Sequence, residues 1–225
     1  SFITGRGTYK PLGYEQDAVA LEGHYRNNGY IEARVGQPEL EYLDVSEDGK
    51  TLPVRLRIRV DEGERYRIGT VAFEDYEVVR VEALREIFSD VRPGEYYSEE
   101  AIRDAFLEAK EAYGSFGYYE MTGFPEPVSR TEPEVDGLPT QIDGNPVVDG
   151  TVRIQEGEQY FVNRITFVGN NTTHDEVIRR EINMVERGVF NTEALQYSVR
   201  RLNQLGDFEP LDEDNAIQIE KGPGV

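Results

Sequence analysis

A chain of 225 residues with 38% hydrophobic and 30% charged side chains has room for one to three domains, but little apolar material to leave uncovered. Its 44 acidic and 24 basic residues give a net charge of −20; this argues against nucleic acid, whose phosphates need clustered Lys and Arg, and against resting on an anionic bilayer. With no cysteine, thiolate metal sites, disulfide scaffolds and thiol catalysis are excluded. 

No run reaches the roughly 18 apolar residues of a membrane helix, and no signal-peptide pattern opens the chain. The abrupt start at Ser1-Phe2-Ile3 reads as that of an excised fragment.

Residues 14–28 are predicted as a helix with Ala18, Leu21 and Tyr25 on one face and Gly29 as a left-handed cap. Tyr30–Val35 alternates as a strand, and Asp44 to Lys50 reads as a turn. Val54, Leu56, Ile58 and Val60 alternate with Arg55, Arg57 and Arg59, the pattern of a half-buried strand with a solvated arginine face. After Glu62-Gly63-Glu64 comes a strand from Tyr66 to Phe73, then a short helix over 81–88 with Leu84, Ile87 and Phe88 inward. Ser98 is the N-cap of a further helix whose buried face is Ile102, Ala105, Phe106, Ala109 and Tyr113.

Tyr118 to Thr122 resumes an extended chain. Residues 123–150 hold five of the eleven prolines and are predicted as a long loop inside a hairpin, which returns through a strand from Val147 to Ile154. A second Glu-Gly-Glu turn at Glu156-Gly157-Glu158 leads into a strand from Tyr160 to Phe167. Thr173-His174-Asp175-Glu176 has the form of a capping box for a helix with Val177, Ile178 and Ile182 apolar. A last helix starts near Asn191 or Thr192, buries Leu195, Val199 and Leu202, and stops at Gly206. Phe208–Leu211 is predicted extended, and Ala216–Ile219 a further strand piece.

These elements repeat. Tyr66 and Tyr160 are 94 residues apart, as are Phe73 and Phe167, while Gly29, Gly117 and Gly206 are separated by 88 and 89. Fixed spacing of this kind is the mark of an array. The unit is strand, helix, helix, strand, strand, and the divisions fall at 1–64, 65–158 and 159–225, the first without its opening strand and the third without its last. The near absence of a linker after Gly157 predicts a last pair of modules that moves as a semi-rigid body.

That element order, with Gly-aromatic after the second helix and Glu-Gly-Glu-x-Tyr after the last strand, resembles the polypeptide-transport-associated (POTRA) family. Ile165-Thr166-Phe167-Val168-Gly169-Asn170 and Arg201-Leu202-Asn203-Gln204-Leu205-Gly206-Asp207-Phe208 are similar to the membrane-proximal module of outer-membrane protein assembly factors. Asp207, inserted between glycine and aromatic, departs from the other two copies. The resemblance implies an α+β fold of tandem β-α-α-β-β modules, each a three-stranded mixed sheet with two helices on one face.

It also implies a non-catalytic arm without cofactors at the periplasmic face of the bacterial outer membrane, joined to the protein's own C-terminal membrane barrel. Its partners would be unfolded outer-membrane β-barrel proteins and accessory periplasmic lipoproteins. The binding positions implied are edge strands, placed on Tyr30, Ile31, Ala33 and Val35, on Tyr118, Tyr119 and Met121, and on Phe208–Leu211, where free N–H and C=O groups accept a client strand by β-augmentation. A related translocation and assembly module, or a two-partner secretion transporter, would carry the same architecture.

Other chemistry lacks the residues it would need. Asp44, Ser46, Asp48 and Gly49 match the opening of a calcium loop, but the twelfth position is Arg55 where a glutamate is needed. His24 and His174, the only histidines, have no Ser-Asp arrangement beside them. With 44 carboxylates, an acid pair is uninformative, which leaves an acidic envelope enzyme or carbohydrate-binding domain as the alternative of another class. Residues 65–158 hold 21 acids against 9 bases, which fits either a docking face for a basic accessory protein or adaptation to salty surroundings.

Overall fold

A computed structural model of the chain describes residues 11–43, 53–131, 139–170, 173–205, 211, 217–220 and 222. The expected turn at 44–50 with its calcium-like residues, the cap at Gly206 and residues 208–210 lie outside them. The described residues form five helices and small sheets, an α+β fold.

The first helix, α1 (Pro11–Arg26), is followed by four short strands, β1 (Arg34–Val35), β2 (Glu39–Tyr42), β3 (Val54–Arg57) and β4 (Val60–Asp61). The middle of the chain gives β5 (Arg67–Glu74), α2 (Val81–Ile87), α3 (Glu99–Ser115), β6 (Thr122–Ser129), β7 (Gln141–Ile142) and β8 (Asn145–Gln155). Beyond it lie α4 (Asp175–Glu181) and α5 (Thr192–Leu205). The middle segment therefore has the predicted strand, helix, helix, strand, strand order, with the small β7 added.

Its sheet runs β5-β8-β6, and β7 pairs with β8. Thr70 bonds Asp149 and Glu74 bonds Arg153, both at an offset of 79 residues, so β5 runs parallel to β8. β6 runs antiparallel to it: Arg130 N–H donates to Val147 O at one end and Thr122 faces Gln155 at the other. The sheet is mixed. The predicted loop over 123–150 is corrected here, since its first seven residues belong to β6. Proline is tolerated on an edge strand where its missing N–H is not needed by the ladder.

Two compact units emerge from the contacts, one from the described residues of 1–71, 90–103 and 127–150 and the other from those of 72–89, 104–126 and 151–225. In the first, Ala33, Tyr66, Ile68, Val91, Tyr97, Ile102, Val147 and Val148 are buried. Asp149 is anchored there by Arg130 and by the backbone and hydroxyl of Thr70. In the second, Leu84, Phe88, Ala105, Ala109, Tyr113, Met121, Val152 and Ile154 are buried, as are Ile178, Val199 and Leu202. Phe88 stands edge-on between Phe73 and Phe106, 5.2 and 5.3 Å away, a preferred aromatic geometry.

Local signals explain several boundaries. Ser98 Oγ accepts the Ala101 N–H, and Asn191 Oδ1 accepts the Ala194 N–H, so each caps its helix. The predicted capping box at Thr173 does not form. His174 is the N-cap of α4 and makes no side-chain cap bond, while the Asn170 amide takes Thr173 O and Asp175 Oδ1. Of that helix's three apolar positions only Ile178 is buried. The predicted Tyr160–Phe167 strand is reduced to one bridge, Phe161 to Val189, because no strand among the described residues lies alongside to extend it. Residues 217–220 likewise pair with no strand among the described residues.

Candidate interaction edges and the repeated junction

The seven residues expected on edge strands divide differently. Tyr30, Ile31 and Ala33 occupy the turn after α1, and Tyr118, Tyr119 and Met121 the turn after α3; only Val35 lies in a strand. The cause is local. Each helix ends in a left-handed glycine, Gly29 at φ 96° and Gly117 at φ 92°. The next residue closes a Schellman motif: Tyr30 N–H donates to Tyr25 O, and Tyr118 N–H to Tyr113 O, each at 3.1 Å. That closure turns the chain and delays the strand by four residues.

What the turns build is a junction, made twice and each time inside one compact unit. In the first, Tyr66 N–H donates to Gly29 O at 2.8 Å, Tyr97 N–H to Tyr66 O at 3.1 Å and Ile68 N–H to Glu95 O at 2.8 Å. In the second, Tyr160 N–H donates to Gly117 O at 2.9 Å, Phe190 N–H to Tyr160 O at 2.8 Å and Val162 N–H to Gly188 O at 2.8 Å. Gly94 N–H donates to Ile68 O just as Arg187 N–H donates to Val162 O. A tyrosine–glutamate clasp repeats too, exposed at the first junction and part-buried at the second: Tyr25 Oη donates to Glu62 and Tyr113 Oη to Glu156. Burial and that carboxylate push the Tyr113 phenol far above its ordinary range.

The side chains around this shared backbone differ. At the first junction Arg26 pairs with Glu99, Asn27 and Glu100 exchange two hydrogen bonds, and the Arg65 guanidinium lies 3.3 Å from the Tyr96 ring centroid. At the second, Gly114 stands against Thr192 so closely that an added Cβ would collide with the hydroxyl. Tyr119 packs edge-on to Tyr160 at 4.8 Å and to Phe190 at 5.3 Å.

Main-chain groups without a partner among the described residues lie elsewhere. β2 pairs antiparallel with β3, Glu39 opposite Arg57, Leu40 opposite Leu56, Glu41 opposite Arg55 and Tyr42 opposite Val54. Leu43 N–H donates to Pro53 O, and main-chain direction alternates along a strand. The polar groups of Glu39 and Glu41 therefore point to β3, and those of Leu40 and Tyr42 point outward. The predicted half-buried strand is also corrected. It breaks at Ile58-Arg59, its arginines face the glutamates of β2 (Arg55 to Glu41, 3.0 Å), and its apolar side is open, with Leu40 39%, Tyr42 67% and Leu56 39% exposed.

His24 stands in α1 edge-on to Tyr25 and His174 caps α4, so neither histidine joins a catalytic grouping among the described residues. No cluster of three or more His, Asp or Glu side chains suited to a metal ion occurs among those residues. No described helix is long and apolar enough to cross a membrane.

A strand-helix-helix-strand-strand unit on a mixed sheet, with a glycine–tyrosine backbone clasp made twice along the chain, defines a class of α+β repeat modules. The POTRA family model, described as surface antigen variable number repeat, matches residues 66–157 and 160–220, and the chain belongs to this family. It is a BamA-like array. It is similar to outer membrane protein assembly factor BamA of Neisseria meningitidis serogroup B, 28% identical over 215 residues, covering 95% of this chain and 25% of that protein. BamA of Nitratidesulfovibrio vulgaris is 26% identical, with 94% and 25% covered. The chain thus spans about a quarter of the length of these curated relatives. Among solved structures, POTRA domains 3–5 of Haemophilus influenzae BamA match with a TM-score of 0.67 at 21% identity, covering 92% of this chain and 75% of that one, a likeness of fold.

Proposed function

We propose that this chain is the periplasmic arm of an outer-membrane β-barrel assembly factor, with modules at 1–64, 65–158 and 159–225. It works without catalysis, at the periplasmic face of the outer membrane and alongside the protein's own C-terminal barrel. It receives unfolded outer-membrane clients by strand addition and docks accessory lipoproteins. The observation that supports the reading is β2: the main chain of Leu40 and Tyr42, unpaired among the described residues, beside an exposed apolar face, in a chain of which 95% is similar to BamA. The tyrosines Tyr30, Tyr118 and Tyr119 hold the junctions, and the edge beyond them meets the client.

The energetics suit transient handling. Two outward residues offer up to four backbone bonds at about 0.5–1.5 kcal/mol each, against about 1–2 kcal/mol for each client residue ordered. Contacts with Tyr42 and Leu40 must supply the remainder, and a dissociation constant near millimolar, about −4 kcal/mol, is expected. Isotope-edited NMR titration with a strand peptide from an outer-membrane barrel tests this. Shifts concentrated on Leu40, Tyr42 and their neighbours support the reading; shifts spread evenly, or confined to the helices, contradict it.

A further inference from the structure

We infer that Pro125 and Pro127 close the free edge of β6 to incoming strands and so select which sheet edge takes a client; the inference rests on the strand-addition reading above. β6 is the terminal strand in the order β5-β8-β6; a main-chain bond at one end reports which way its main chain faces, and a side-chain contact at the other fits the same register. Arg130 N–H donates to Val147 O, and Thr122 Oγ1 lies 3.5 Å from Gln155 Oε1. The two pairs share one antiparallel register, so the strand runs between them without a slip.

N–H and C=O groups alternate sides along a strand. Even-numbered residues from Thr122 to Val128 therefore face β8, as Arg130 does. Gly123, Pro125, Pro127 and Ser129 face away from β8, toward an edge that no strand among the described residues covers. The two central outward positions are proline, which carries no N–H. What remains is a row of carbonyls with donors only at its ends, and pyrrolidine rings standing where a partner's carbonyls would approach.

A strand laid on β6 would leave two of its own carbonyls without donors in a newly buried ladder. At β2 both outward residues, Leu40 and Tyr42, keep their N–H groups. The same placement explains how two prolines sit in the strand without breaking it: neither is asked to donate to β8. Sheets elsewhere use edge proline in this way to refuse unwanted pairing. Here it separates two edges of one chain, and the loss of two hydrogen bonds corresponds to binding about tenfold or more weaker at β6.

The test is an NMR titration of the whole chain with a short alternating Val/Thr peptide, run on the native protein and on Pro125→Thr/Pro127→Thr. In the native chain the amides of Leu40 and Tyr42 shift while Gly123 and Ser129 stay still. In the double variant Gly123 and Ser129 respond as well, with apparent affinity at that edge raised about tenfold or more. Native Gly123 and Ser129 shifting as strongly as Leu40 and Tyr42 would overturn the inference, and this arm requires no variant. A folded double variant silent at β6, while Leu40 and Tyr42 still respond, overturns the guard alone. Silence at every edge in both proteins removes strand addition and the guard together. Should the double variant not fold, each single variant restores one donor and must give an intermediate response; two silent, folded single variants count against the guard.

Discussion

The two junctions share a backbone and differ in almost everything attached to it. Both clamp a left-handed glycine carbonyl with a tyrosine N–H, and both repeat the same three further main-chain bonds. Around that frame the first uses charge, with Arg26 on Glu99 and Arg65 over Tyr96. The second uses close approach, with Gly114 on Thr192 and two rings against Tyr119. Main-chain bonds depend on conformation more than on residue type, so they persist while side chains diverge. The difference teaches that the second junction is the less forgiving, because packed contacts cannot move aside as exposed charges do.

The sharpest way to break the comparison is exchange at equivalent positions. Gly114→Arg, which places the first junction's residue in the second, should cost about 3 kcal/mol or more by overpacking against Thr192; the reverse change, Arg26→Gly, should cost about 1 kcal/mol. Thermal or urea unfolding measures both, and equal effects would count against the account. Glycine caps follow. An added Cβ meets a tyrosine carbonyl at both caps, Tyr66 O at Gly29 and Tyr160 O at Gly117, but at Gly117 it also meets Val189 at 2.8 Å, so Gly117→Ala should lose about 2–3 kcal/mol and Gly29→Ala about 1–2 kcal/mol. Tyr119→Ala should cost about 2 kcal/mol through its two ring contacts, more than Ile31→Ala at the matching site.

Acid supplies a test away from the junctions. Burial acts to raise the Asp149 pKa, but the hydrogen bonds from Arg130 and Thr70 outweigh it and hold the carboxylate below its ordinary range. A depressed folded pKa gives stability that is present above the unfolded value, about 4, and lost as pH falls through the folded one. Asp149→Asn should therefore destabilise by about 1–3 kcal/mol at neutral pH, with the gap to the native chain closing below pH about 4. A gap that stayed constant would remove the charge from the explanation. The smallest effect concerns Arg187, which holds φ 68° where the first junction has Gly94 at φ 89°. Arg187→Gly should stabilise by about 0.5–1 kcal/mol, seen as a higher unfolding temperature.

Much of the fold was legible wherever one residue type has one local use. Ser98 and Asn191 cap helices by side-chain geometry alone, Gly29 and Gly117 end them, and the face of Ile102, Ala105, Ala109 and Tyr113 follows from helical period and is buried. The edges were misplaced because a glycine cap signals where a helix stops but not how many residues the following turn consumes. Proline in β6 read as a loop because its cost depends on whether its N–H faces a neighbour, and that parity requires the partner's register. Alternation identified the apolar side of β3 but not whether anything covers it. The β7–β8 turn at Asp143-Gly144, with φ 50° and 78°, carried a readable hairpin signal that the long-loop reading passed over. For Arg187 the sequence held no signal, since arginine is not a left-handed residue by preference.

The central claim is that clients add as strands to an open edge of this arm. Photocrosslinking tests it most directly, with benzoylphenylalanine placed singly at Leu40 on β2 and at Phe124 on β6, and a strand peptide from an outer-membrane barrel as probe. Adducts at position 40, competed by unlabelled peptide, with little or none at 124, are the result predicted. Equal adducts at both positions, or none at 40, would contradict it.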